Sequence, residues 1–140
     1  MGWIQSAIDP TEKATFGFVF AFDGTTYSFS GAYHDKAAGV DFKGSGVLKE
    51  KSPPAGMRSD ALCLAGMPAY VSTSRDFPGE GFLELTVCDL DRGGPSVGDF
   101  ILVNVLTGPF GALGAFAPGY TNFGFPSGNI TVTCSGDCVP

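Results

Sequence analysis

The stretch Thr15-Phe16-Gly17-Phe18-Val19-Phe20-Ala21-Phe22 alternates aromatic with smaller residues without a break and so puts four phenylalanines on one side of an extended chain. Only a β-strand with one face on a core satisfies that period, because at helical spacing the same rings fall on opposite sides. Asp23-Gly24 follows at once, and such a pair turns a chain into a two-residue hairpin because glycine adopts positive φ without a steric penalty. A second strand is then predicted from Tyr27 to His34, with Tyr27, Phe29 and Tyr33 on one side.

Similar patterns recur to the end of the chain. In Val40 to Val47 the apolar Val40 and Phe42 face away from Asp41 and Lys43, and Gly44 and Gly46 predict a bulge or a close backbone approach. Ala61 to Ala65 and Ala69 to Ser74 read as short strands around Gly66-Met67-Pro68, and Phe82 to Asp89 sets Leu83, Leu85 and Val87 against Glu84, Thr86 and Cys88. Asp99 to Leu106 is apolar on both sides, which predicts a central strand covered on both faces. An irregular strand near Tyr120 to Phe123 and a last one at Ile130-Thr131-Val132 follow. Lys49 to Asp60 holds Pro53-Pro54, dense charge and no period, and reads as an exposed loop. The best helix candidate, Phe110 to Ala117, is interrupted by Gly111 and Gly114. The chain is thus all-β: an antiparallel β-sandwich or flattened β-barrel of about 8–10 short strands. Its length suits one extracellular-type β-domain over residues 2–134, followed by a tail at 135–140.

Charge narrows the partners. A formal net charge of −6, with 8 Lys and Arg and no basic run, argues against nucleic acid and anionic membrane surfaces. No apolar run approaches the roughly 18 residues of a membrane span, so no membrane insertion is expected. No signal-type segment precedes Gly2, so Met1 reads as an added start and any secretion signal as removed or part of a longer parent. Four cysteines in a small glycine-rich β-chain point to two disulfides and an oxidising compartment. Cys63 lies opposite Leu62 and Leu64, and Cys88 opposite Leu83, Leu85 and Val87; that matched parity predicts a Cys63–Cys88 bridge between neighbouring strands. Cys134-Ser-Gly-Asp-Cys138 has neither redox nor zinc spacing and reads as a small loop closed on itself, Cys134 to Cys138.

Chemistry-bearing residues are few. His34 is the only histidine, and with Tyr33, Asp35 and Asp41 it forms a polar cluster near one turn. Without a Gly-x-Ser-x-Gly elbow, His-Glu-x-x-His or P-loop, it reads as a locally hydrogen-bonded strand-end histidine, and no catalytic residue is assigned. Asp41 with Glu84 is the one pair of carboxylates that suggests a glycosidase, although solvent-facing strand carboxylates are common. Asp89, Asp91 and Asp99, with loop carbonyls around Gly93-Gly94, offer oxygen ligands for a structural Ca²⁺; an acidic hairpin turn without metal is the simpler reading, and no other cofactor is expected. Asn129-Ile130-Thr131 fits a glycosylation sequon. Trp3, Tyr70, Tyr120 and Phe123 are candidates for a carbohydrate-binding platform, although most aromatics in a chain with 13 Phe belong to the core, and Trp3 is expected to plug one end of it.

Several motifs occur together in order. They are Gly2-Trp3-Ile4, Ala14 to Val19, Tyr33-His34-Asp35, Gly39 to Phe42, Pro95 to Phe100, Tyr120-Thr121-Asn122 and Gly128-Asn129-Ile130. In this the chain resembles a repeat-type β-domain of large secreted bacterial surface proteins, which usually opens on Gly-Gly-Gly-Trp-Ile and closes on Gly-Gly-Asn-Ile. The resemblance implies an extracellular or cell-surface, non-enzymatic accessory or adhesive role and no site residues. The Cys134 to Cys138 tail and the 49–60 loop depart from the usual pattern. Three function classes follow, in order: a structural or assembly module that self-associates, a module that binds surface polysaccharide, and a small β-barrel enzyme using His34.

Overall fold

The computed structural model describes residues 2–52, 62–89, 100–111, 119–124, 127–128 and 132–134. It is all-β, with strands β1 (Gly2–Gln5), β2 (Lys13–Phe22), β3 (Tyr27–Asp35), β4 (Val40–Lys51), β5 (Leu62–Gly66), β6 (Ala69–Ser72), β7 (Glu80–Asp89), β8 (Phe100–Val105), β9 (Thr121–Gly124), β10 (Ser127–Gly128) and β11 (Val132–Cys134). A single 3-10 turn, Lys36–Ala38, joins β3 to β4, with the Asp35 carboxylate accepting from the Ala38 N–H.

The first hairpin forms where the alternation predicts, with Phe22 paired to Tyr27, but its turn lies one residue later. Asp23 N–H donates to Thr26 carbonyl at 3.2 Å, leaving Gly24 and Thr25 as the central pair with Gly24 at φ 96°. Asp23 instead caps the turn, Oδ1 accepting from the N–H groups of Thr25 and Thr26 at 2.8 and 2.6 Å. Phe16, Phe18 and Phe20 are buried; Phe22 is half-buried and stacks on Tyr27 with ring centroids 4.4 Å apart.

The strand from Val40 continues beyond its predicted end to Lys51, so Lys49–Lys51 belong to β4 and pair with Cys63–Ala65 of β5. The rest of the expected loop, residues 53–60, lies outside the described residues. β4 pairs with β6 through Phe42–Ser45 and with β5 beyond it, and β7 pairs with the same two strands in turn. β5 and β6 are therefore successive pieces of one path, parted at Met67-Pro68, and β4, β5, β7 and β6 close a hydrogen-bonded ring. A second corner resembles the first: β9 pairs with β8, and β10, two residues further on, pairs with β1. Such strands, which leave one sheet for the other, turn the corners of a flattened barrel.

The larger sheet holds β10, β1, β2, β11, β3, β4, β6 and the start of β7; the smaller holds the end of β4, β5, the rest of β7, β8 and β9. Between them lies one core containing Phe16, Phe18, Phe20, Phe29, Tyr33, Phe42, Tyr70, Leu83, Leu85, Val87, Ile101, Val103 and Phe110. Two expectations are corrected. β8 is covered fully on one face only, because Ile101, Val103 and Val105 point inward while Phe100, Leu102 and Asn104 stay half-buried. The final strand runs parallel to β2, with Val132 paired to Phe20, whereas every other described pairing is antiparallel.

Candidate functional site

Parity along β1 decides the position of Trp3. Ile4, paired with Ala14, takes the inward place, so Trp3, paired with Thr15, lies half-buried on the outer face and does not plug the core. Lys13 Nζ sits 4.3 Å above its ring. Tyr70 and Tyr120 are interior residues. The Tyr70 hydroxyl donates to Thr107 carbonyl at 2.7 Å and accepts from Phe110 N–H at 3.2 Å. Phe123 is 65% exposed, but on β9 of the smaller sheet. The four aromatics thus do not share a face.

Asp89 ends β7, and its side chain, like Asp91 and Asp99, lies outside the described residues. The same holds for the Cys134 side chain and for Cys138. Cys63 and Cys88 are directly paired across β5 and β7 and joined by a disulfide.

The polar cluster expected around His34 is split by the pleat. His34 and Asp41, opposite one another on β3 and β4, point outward, and His34 Nδ1 lies 2.5 Å from Asp41 Oδ1. They line a shallow groove of about 450 Å³ with Thr11, Glu12, Lys13, Thr15 and Lys36. Glu84 lies on β7 opposite Asn104. Tyr33 and Asp35, one residue to either side of His34, point inward and are fully buried.

There they belong to a chain of hydrogen bonds that residue type alone did not reveal. The Asp35 carboxylate accepts from Ser6 Oγ at 2.6 Å, Ala7 N–H at 2.9 Å, Ala38 N–H at 3.4 Å and Tyr120 Oη at 2.6 Å. Because Tyr120 spends its one hydroxyl proton on Asp35, the 2.6 Å contact between the tyrosine hydroxyls must be donated by Tyr33. Asn122 Nδ2 completes the chain, donating to Tyr33 Oη at 3.0 Å and to Gln5 carbonyl at 2.8 Å. Burial holds both tyrosine hydroxyls well above their usual pKa, most of all Tyr120. The detectable signal was parity: Tyr33 with Asp35, and Tyr120 with Asn122, are spaced two apart and so share a face.

The outer face of the larger sheet is the other surface that the sequence reading did not single out. Register aligns its outward residues into rows across the strands. One row runs Trp3, Thr15, His34, Asp41; the next runs Gly17, Ala32, Lys43, Val71, Glu80; a third runs Val19, Ser30, Ser45, Ala69, Phe82. Val71 and Phe82 are each 54% exposed, Val19 59% and Val47, on the same face, 58%. Lys43, Ser45, Ala69, Val71, Glu80 and Phe82 border a shallow groove of about 480 Å³. Lys43 and Glu80 make no ion pair among the described residues.

No family model matches the chain, and no curated protein or solved structure matches it either.

Proposed function

We propose that the chain is a non-catalytic extracellular or cell-surface assembly module that docks through the outer face of its larger sheet. The observation that carries this is the set Val19, Val47, Val71 and Phe82, large apolar side chains more than half exposed where an antiparallel sheet with one solvated face ordinarily places polar ones. The buried Cys63–Cys88 bridge supports an oxidising compartment, and the likeness to repeat-type surface domains points the same way. His34 and Asp41 are both solvent-accessible and suit a surface hydrogen bond.

A second reading, binding of surface polysaccharide, is favoured by the groove beside His34, where hydroxyls and charges of both signs lie next to the half-buried Trp3. Beads coated with the protein separate the two. With assembly, they cluster with one another or adhere to isolated cell-envelope material, and Val71→Arg abolishes this while His34→Ala leaves it intact. Adhesion that ignores Val71→Arg but disappears in Trp3→Ala favours polysaccharide. If the beads neither cluster nor adhere, assembly is wrong.

A further inference from the structure

We infer that the occupant of this face is a second copy of the chain, packed face to face about a two-fold axis parallel to the strands and passing over Val71. The inference rests on the assembly reading above and specifies its partner.

Three features of the face match under that one operation. Lys43, Val71 and Glu80 are consecutive in a row on β4, β6 and β7, with the cation and the carboxylate one strand to either side of Val71. Rotation about the axis sets Val71 on its own copy, Lys43 over the partner's Glu80 and Glu80 over the partner's Lys43. The two charges are about 10 Å apart within one sheet, and facing sheets are separated by a similar distance, which extended lysine and glutamate side chains bridge. The adjacent row, Ser45, Ala69, Phe82, transforms in the same way, so the bulky Phe82 ring comes over the small Ser45 and Ala69 of the partner. Charge and shape are therefore complementary under the same two-fold. Under this operation β4, β6 and β7 of one copy cover β7, β6 and β4 of the other, an overlap of roughly 200 Å² per copy from strand spacing and rise. Such a small overlap makes the pair a weak, transient one, selected by its charges and the fit of Phe82 and not by area.

The test is sedimentation equilibrium of the full chain. The wild-type protein is expected to dimerise at hundreds of micromolar, about the strength of a small transient interface. Lys43→Glu and Glu80→Lys, each alone, set like charges against one another at both symmetric positions and weaken the dimer about tenfold or more. Mixed in equal amounts, the two variants restore every pair, so a heterodimer of near wild-type affinity forms. Both substitutions are on the surface, and an unchanged circular dichroism spectrum with the recovered heterodimer excludes misfolding. A chain monomeric to about 1 mM, a dimer indifferent to either substitution, or a mixture that stays monomeric overturns the inference. If the chain is monomeric while beads still adhere to envelope material in a Val71-dependent way, the face has a different occupant and the assembly reading stands. Loss of both refutes the two together.

Discussion

Asp35 is fully buried, yet its carboxylate is held by four donors, with no Lys, Arg or His among its described partners. Saturation by short hydrogen bonds is what makes such a group tolerable, and removal of either side leaves the other unsatisfied. Asp35→Ala strands the Tyr120 hydroxyl, just before β9, and the Ser6 and Ala7 donors after β1, and is expected to cost about 3–5 kcal/mol in urea denaturation. Tyr120→Phe removes one donor and leaves Tyr33 without its acceptor, for about 1–3 kcal/mol. The raised pKa values of Tyr33 and Tyr120 add a pH dependence, since above about pH 10 the unfolded chain releases these protons first. The stability they confer is therefore complete below pH 10 and declines above it, by up to about 1.4 kcal/mol per pH unit for each tyrosine. Urea midpoints between pH 8 and 11.5 should show this fall, and the Tyr33→Phe/Tyr120→Phe double variant should lose most of it. Residue type was the misleading signal here: polar Tyr33 and Asp35 were grouped with His34, although parity with Phe29 already turned them inward.

Among the elements, β2 and β3 were legible because each keeps a strict period, and their register explains one glycine. Gly31 stands opposite Phe18, and a Cβ there meets the Gly17 carbonyl and comes within 2.8 Å of Phe18 Cδ1. Gly31→Ala should destabilise by about 1–3 kcal/mol through overpacking, whereas Phe18→Ala, which empties the same site, should cost about 3–5 kcal/mol. Both follow from thermal or urea unfolding. Parity also predicted the Cys63–Cys88 bridge, which the structure contains. Its 25-residue separation makes replacement of both cysteines by Ala worth about 3 kcal/mol, with non-reducing peptide mapping to verify the pairing. The corners were illegible. Met67-Pro68 marks a break between β5 and β6, but a broken path that serves two sheets looks locally like two unrelated short strands; the eleven strands among the described residues exceed the about 8–10 expected because Gly2–Gln5 and Ser127–Gly128 are too short to show a period. The exposed apolar face proposed for docking was hidden differently, because outward Val19, Val47, Val71 and Phe82 become one surface only when register from separate strands aligns them.

At the scale of the whole molecule, the two sheets are joined unequally at their two sides. On one side β4, β5, β7 and β6 form a continuous ladder. On the other, β9 and β1 have no backbone pairing with each other among the described residues; β10 adds a two-residue pairing to β1, the Tyr120 hydroxyl reaches Asp35, Asn122 Nδ2 reaches the Gln5 carbonyl, and Gly124 packs near Ile4, where a Cβ would lie 3.2 Å from the Ile4 side chain. A ladder opens only when its strands separate, whereas a seam held by a two-residue pairing, side-chain hydrogen bonds and apolar contact opens locally, at a lower free energy. Hydrogen exchange should therefore be slowest for amides of β3, β4 and β7, each paired on both edges, and distinctly faster in β1 and β9. Asn122→Ala breaks the tie from Tyr33 to Gln5 without altering any ladder, so it should accelerate exchange in β1 and β9 by about tenfold while leaving the β3 and β4 amides near their global rate. The tenfold figure is about 1.4 kcal/mol, the net worth of one or two buried hydrogen bonds. Uniform acceleration across all strands would show instead that the seam opens only with the whole barrel, and that the two sheets unfold as one unit.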